Sequence, residues 1–254
     1  MALSFTEDST DSVDFGSAAA LDTLAQGTIL VWLYPTSTAN SFRYYVSKAD
    51  ASQLGPVLHR RAVDGTEIRL YVSRATTAHS VRGGAGSLVV NTWQYYGATW
   101  DITNGGPTLA RGTLSTLAVD VSTAPDDGSG AQQNDSAEPL VAGGGGGATS
   151  GGMRLGMLQV HNTDLALAEI QRQQFRPHPI ASTLVFCMLG YAGTGTQPDW
   201  SGNGNNGTVT GATVADHVPL GAFGFQGWPG AFTAAAVVAT PYHPWMQRCP
   251  ILAQ

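Results

Sequence analysis

Carboxylate side chains are the first candidates for chemistry in this sequence, because a pair of carboxyl groups carries out glycoside hydrolysis. The glutamates are Glu7, Glu67, Glu138 and Glu169. None of them has an acidic partner at the spacing that would put two side chains on one face of a strand. Asp11 and Asp14 are three residues apart, which turns them to opposite faces. The sequence therefore predicts that the protein is not an enzyme of the two-carboxylate design.

Patterns for nucleophilic catalysis, metal binding and phosphate binding are also sparse. The six histidines show no metal-ligand spacing with one another or with a cysteine. No Ser-His-Asp or Cys-His order comes with a supporting motif such as G-x-S-x-G. A run of five glycines at 143–147 precedes a strand pattern and has no lysine nearby, so it predicts a loop and not a phosphate cradle. The cysteines, Cys187 and Cys249, fit either two separate thiols or one disulfide.

Tyrosines on predicted strands are candidates for stacking on sugar rings. They are Tyr44, Tyr45, Tyr71, Tyr95 and Tyr96. Aromatic rings also fill cores, so the alternative is that about half of them are buried and the rest cover the core.

Composition narrows the classes of function. Of 254 residues, 32 are glycine and 13 are proline, but only 12% are charged. The net charge of −6 provides no basic footprint, which argues against a nucleic-acid partner. No apolar run approaches the roughly 18 residues of a membrane span. The amino terminus lacks the basic and apolar regions of a secretory signal, so we expect synthesis in a cytoplasm, with exit only inside a particle.

Short strand patterns separated by turn residues position these side chains. The clearest is 67–73, in which Ile68, Leu70 and Val72 alternate with polar neighbours. The others lie at 27–34, 43–47, 56–61, 91–100 and 184–189. The regularity breaks between 113 and 152. Several strands with one short helical pattern predict an all-β sandwich.

Four short motifs carry a family resemblance. They are Leu3-Ser4-Phe5 with Asp11 to Gly16, Trp93 to Asp101, Val160 to Ile170, and Asp199 to Thr208. Together they resemble the opening strand, a central strand, the closing strand with its lid helix, and a glycine-rich turn of the laminin-G-like, concanavalin A-type family. The resemblance implies a two-sheet antiparallel jelly-roll sandwich with one sizeable helix near 165–173. The turn motif comes late in this chain, which predicts that the last strands return beside the first.

The same resemblance raises the question of calcium, which laminin-G-like sandwiches often hold. Asp11 matches one acid of the opening motif, whereas the acidic pair expected before the closing strand falls on Gly156 and Met157. Asp199 and Asn203 are further possible ligands, with Asn205 beside them. The alternative is a turn in which these side chains bond their own backbone. No other cofactor is implied, and His161, at a position that is often aromatic in the family, is expected to pack.

The carboxyl-terminal segment has a different character and divides the chain into a sandwich at 1–220 and an arm at 221–254. The arm contains Phe223, Phe225, Trp228, Phe232, Tyr242 and Trp245. Disordered tails are normally polar and poor in aromatic residues. We therefore expect this extended arm to bind another subunit or a capsid protein; the alternative is that it packs on its own sandwich.

The layout as a whole resembles laminin-G-like proteins of tailed bacteriophages. The resemblance implies a non-enzymatic virion protein, either a capsid decoration protein or a tail appendage. Its partners would be virion proteins and further copies of itself, and its location the virion. The alternative is a lectin-like module that binds surface glycans.

Overall fold

The computed structural model describes residues 1–38, 42–48, 54–60, 65–144 and 149–216. The arm residues of 221–254 and Cys249 lie outside this range, so the predicted domain division is untested. Within the described residues, no helix has the length and apolarity needed to cross a bilayer.

The elements follow one another in this order. They are β1 (Ala2–Phe5), β2 (Ser12–Asp14), a 3-10 turn (Ala19–Leu21), β3 (Gln26–Pro35), β4 (Arg43–Lys48), β5 (Pro56–Arg60), β6 (Ile68–Val72), β7 (His79–Gly83), β8 (Gln94–Asp101), β9 (Thr108–Thr113), β10 (Val119–Asp120), β11 (Ser122–Asp126), β12 (Leu140–Gly143), β13 (Met153–His161), α1 (Leu167–Phe175), β14 (Thr183–Cys187), β15 (Thr208–Thr210) and β16 (Thr213–Ala215).

Two antiparallel sheets form the predicted sandwich. The first sheet has the order β10-β9-β8-β3-β13-β1-β16, and β14 also pairs with β13. The second has the order β11-β7-β6-β5-β4-β12-β2-β15. β15 pairs with β2 and β16 with β1, which confirms that the last strands return beside the first. The stretch that looked irregular, 113–152, holds three short strands, β10, β11 and β12, which carry little apolar alternation.

The core lies between the two sheets, where alternate side chains of each strand are buried. On the second sheet, one row of paired positions runs from β2 to β7, and every member is buried. It consists of Val13, Ala142, Val46, Leu58, Leu70 and Val81. Because side chains alternate along a strand, their neighbours face outward and form the outer face of the second sheet.

The helix covers the outer face of the first sheet. Ile170 sits over Gly97, where a Cβ would lie 2.6 Å from the Ile170 side chain, so glycine permits the close approach. Trp32 Nε1 donates a hydrogen bond to the Gln174 carbonyl at 3.1 Å. α1 begins two residues later than predicted because the Leu165 amide donates to Thr28 Oγ1 on β3, which keeps Leu165 outside the helix.

Candidate functional site

A polar cleft opens on the outer face of the second sheet, between β6, β7 and the end of β11 with the two residues that follow it. Its volume is about 790 Å³. Its lining residues are Arg69, Ser80, Arg82, Ala124, Pro125, Asp126, Asp127 and Gly128. A volume of this size falls in the range of ligand-binding clefts.

Strand register brings the two arginines of the cleft together. β6 alternates between buried Ile68, Leu70 and Val72 and partly exposed Arg69 and Tyr71. This pattern confirms the faces predicted from the sequence, because Arg69 and Tyr71 point away from the core. Arg69 is directly opposite Arg82, and Tyr71 is opposite Ser80. The floor of the cleft therefore carries two adjacent guanidinium groups with a phenol ring beside them.

Side-chain contacts hold this floor in place. Arg69 Nη2 donates to Ser80 Oγ at 2.8 Å, and the Arg69 guanidinium lies 5.3 Å from the centre of the Tyr71 ring. Arg82 Nη1 is 3.9 Å from Glu67 Oε2, and about a third of the Arg82 side chain, 32%, remains exposed. Arg82 thus presents donors to anything that enters the cleft.

The wall of the cleft, formed by the end of β11 and the turn after it, is held by hydrogen bonds. The Asp127 carbonyl accepts hydrogen bonds from Arg74 Nη1 and from His79 Nδ1, both at 2.8 Å. Asp126 Oδ1 accepts the Gly128 amide at 2.9 Å. Gly128 has a φ of 63°, and a Cβ there would lie 2.6 Å from the His79 nitrogen. A wall held in this way loses little conformational entropy when a ligand binds.

The cleft combines planar donors and carboxylate acceptors, and the Tyr71 ring lies next to Arg69. Guanidinium and carboxylate groups bond pairs of neighbouring hydroxyls, and aromatic rings pack on the apolar faces of sugars. Sequence reasoning named Tyr71 but missed Arg69 and Arg82. The signal for Arg69 was its place on the polar side of β6, two residues before Tyr71.

The structure separates the five candidate tyrosines. Tyr45 and Tyr96 lie in the core, and Tyr95 is buried beneath α1, where its hydroxyl donates to the Ile170 carbonyl at 3.2 Å. Tyr44 is 7% exposed. More of them are buried than the expected half, because both faces of β4 and of β8 are covered at these residues. Tyr71 keeps partial exposure beside the cleft.

The proposed calcium ligands fall in two places. Asp199 and Asn203 share the glycine-rich turn, where Asp199 accepts the amides of Phe186, Ser201 and Asn205 at 2.9–3.0 Å. Asn203 Nδ2 donates to the Thr183 carbonyl at 2.9 Å. These hydrogen bonds agree with the alternative to calcium binding, in which the Asp and Asn side chains of the turn bond backbone groups.

Asp11 belongs to a different neighbourhood, where its Oδ2 accepts the Thr6 amide at 2.8 Å. In the described part of the chain, no three His, Cys, Asp or Glu side chains are grouped as a metal site would require. Calcium binding by Asp11, Asp199 and Asn203 stays an untested prediction.

A second polar cluster joins α1 to the first sheet. His161 Nε2 donates to Gln159 Oε1 at 3.0 Å, Gln159 Nε2 donates to Gln173 Oε1 at 3.3 Å, and Gln173 Nε2 donates to Glu169 Oε1 at 2.8 Å. Burial lowers the pKa of His161 to about 4, against a smaller opposing effect of the Glu169 charge. His161 is therefore a neutral packing residue at neutral pH, as the sequence predicts.

Of the two cysteines, the structure describes only Cys187. Cys187 lies in the core as a free thiol, and burial raises its pKa well above the ordinary value. Cys249 and the six arm aromatics lie outside the described residues.

Comparison with known proteins gives the family. The model of the Laminin_G_3 family, described as the concanavalin A-like lectin/glucanases superfamily, matches residues 7–171. The chain belongs to this superfamily. The sequence matches none of the curated proteins.

Solved structures share the fold at low sequence identity. A Bacteroides ovatus protein described as a candidate carbohydrate-binding protein superposes with a TM-score of 0.59 at 12% identity, over 85% of this chain and 59% of that one. Tailspike protein 2 of an Escherichia coli O157:H7 bacteriophage superposes with a TM-score of 0.52 at 11% identity, over 73% of this chain and 26% of that one. The chain thus spans about three fifths of the first protein and a quarter of the second.

Proposed function

We propose that this chain is a non-enzymatic glycan-binding module and that the cleft on the second sheet is its binding site. The observation that carries the proposal is the pairing of Arg69 with Arg82 beside Ser80 and Tyr71, opposite a wall fixed by hydrogen bonds. The lectin-like fold and the likeness to the candidate carbohydrate-binding protein support it.

In this proposal the ligand lies across β6 and β7. The guanidinium of Arg82 donates to neighbouring sugar oxygens, and the ring of Tyr71 packs against a pyranose face. A volume of about 790 Å³ accommodates a short oligosaccharide. Because the strands and the wall are already ordered, the binding energy is not spent on folding the site.

The pKa values of Glu7 and Glu169 support a non-enzymatic role. A glycosidase acid needs a raised pKa. Burial favours a higher pKa for Glu7, but hydrogen bonds from Arg60, Ser37 and the Gly152 backbone together with the Arg60 charge lower the pKa of the carboxyl group. Hydrogen bonds from Arg172 and Gln173 do the same for Glu169. The pKa of Asp135 is raised by burial, but its side chain is fully enclosed and beyond the reach of a substrate.

The second candidate function is a place in a bacteriophage particle, as a capsid decoration protein or a tail appendage. Two observations favour it: the aromatic composition of 221–254, and a fold shared with a phage tailspike protein. In this proposal the arm binds virion proteins or further copies of the chain, and the cleft faces outward. Peptide mass spectrometry of purified particles tests it, and absence of the chain from every particle fraction would contradict it.

The glycan proposal is tested with a glycan array, followed by calorimetry on the best ligand. Arg82→Ala is expected to weaken binding about tenfold or more, because a hydrogen bond to a charged group contributes roughly 1.5–3 kcal/mol. Arg154→Ala is the matched control, since Arg154 lies over the Tyr34 ring on the first sheet. Equal affinity of the Arg82→Ala variant and the wild type, or no glycan bound at all, would overturn the proposal.

A further inference from the structure

The ammonium group of Lys48 lies inside a buried cage of oxygen atoms at the end of β4. Its Nζ donates to the carbonyls of Asp135 at 3.0 Å and Glu138 at 2.7 Å. It also lies 2.8 Å from Asp22 Oδ1 and 3.9 Å from Asp135 Oδ1. Two carbonyl and two carboxylate oxygens form the donor set that hard cations such as calcium take in proteins.

The cage carries more negative charge than its occupant neutralises. Asp22 and Asp135 face a single ammonium, and the Lys48 and Asp135 side chains are only 2% and 0% exposed. Asp135 Oδ1 accepts the Thr23 amide at 2.6 Å. Its other oxygen, Oδ2, is buried with no hydrogen-bond partner among the described residues. A buried carboxylate oxygen without a partner is costly. Two carboxylates beside one ammonium also leave negative charge, which a cation of higher charge would neutralise.

The cage is built by backbone that is far apart in sequence. It joins the end of β4, the residues after the 3-10 turn and the loop before β12. Thr23 holds a left-handed φ of 49°, which accompanies the bond from its amide to Asp135. A Cβ at Gly55 would lie 2.6 Å from Asp135 Oδ2, so glycine keeps that side of the cage free.

We infer that this cage is a cation site that the chain fills with its own Lys48 ammonium. It follows that shortening Lys48 turns the cage into a calcium site. Calcium takes six to eight oxygen ligands in flexible geometry, and water can complete the shell through Asp22, whose side chain is 19% exposed. Magnesium fits less well because it demands near-octahedral geometry and releases water reluctantly. In the wild-type chain the Lys48 ammonium occupies the position that the metal would take.

The test compares Lys48→Ala with Lys48→Met in the full chain. Both variants remove the charge, but methionine keeps the cage filled whereas alanine empties it. Calcium titration by calorimetry should give a binding isotherm for Lys48→Ala and none at this site for Lys48→Met or the wild type. With a dissociation constant near 1 mM, about 10 mM calcium should raise the folding equilibrium constant of Lys48→Ala roughly tenfold in urea unfolding. Magnesium should raise it less.

Each other outcome decides against the inference. A folded Lys48→Ala variant with the same stability in calcium and in EDTA overturns it, as does an equal calcium response of Lys48→Met or of the wild type. If Lys48→Ala does not fold in EDTA, refolding is carried out in about 10 mM calcium. Recovery there supports the cation site, and failure to recover overturns it.

Discussion

Replacing His161 should remove most of the dependence of stability on pH in the weakly acidic range. The residue is fully buried, and its ring bonds Gln159 on one side and the hydroxyls of Ser182 and Thr183 on the other. Burial lowers the pKa of His161 to about 4, whereas an unfolded histidine titrates near 6.5. The unfolded state therefore binds the proton first, and stability falls as the pH drops through the unfolded value.

The size of the effect follows from these two pKa values. At a pH near 5 the unfolded histidine is almost fully protonated, while the buried one is almost fully neutral. The free energy of unfolding should be lower by about 2 kcal/mol near pH 5 than near pH 7.5 from this residue alone. Glu7 and Glu169 have lowered pKa values and lose their contributions only at more acidic pH. The contribution of His161 is separated from that of the other titrating groups by comparing the wild type with a variant that lacks this imidazole.

Urea unfolding of the wild type and of His161→Gln at several pH values measures the difference. Glutamine keeps an amide donor within reach of Gln159 but does not titrate, so the variant should show a nearly flat profile over this interval. His178→Gln is the matched control, because His178 contacts the Arg176 carbonyl at the surface, and it should keep the wild-type profile. If His161→Gln loses stability with acid as steeply as the wild type, the burial argument is wrong.

Two further predictions concern the helix and the arm. Gly97→Ala should cost about 1–3 kcal/mol in urea unfolding, because the new Cβ would lie 2.6 Å from Ile170; the added Ile170→Ala should recover part of that cost. Gly84→Ala, where the nearest atom is 3.7 Å away, should change stability by less than about 0.5 kcal/mol, and equal costs at both glycines would contradict the packing account. Truncation after Leu220 should leave a cooperatively folding sandwich that has lost self-association or particle binding in sedimentation. A truncated protein that unfolds beside a stable full-length monomer would refute the arm's role in assembly.

Much of the sandwich could be predicted from the sequence, because successive side chains of a strand point to opposite faces and leave a recognisable apolar pattern. Alternation of apolar and polar residues marked the two faces of β6, and a continuous apolar run marked β3. The late glycine-rich turn predicted that the chain returns to its first strands, and β15 and β16 pair there. β10, β11 and β12 escaped prediction because they are short and carry little apolar alternation.

The candidate sites depended on tertiary structure. Alternation along β6 predicts that Arg69 faces away from the core. It does not predict that Arg82 lies beside it, because the register between β6 and β7 is set by the packing of their buried side chains. The apolar pattern of a strand does not show whether its outer face is covered by another element. The burial of Tyr95 under α1 was therefore not predicted. Lys48 reads as a surface lysine at a strand end. Only the folded chain brings Asp22, Asp135 and Glu138 around this ammonium. These residues are distant in sequence, so their contacts depend on how the strands of the whole sandwich pair.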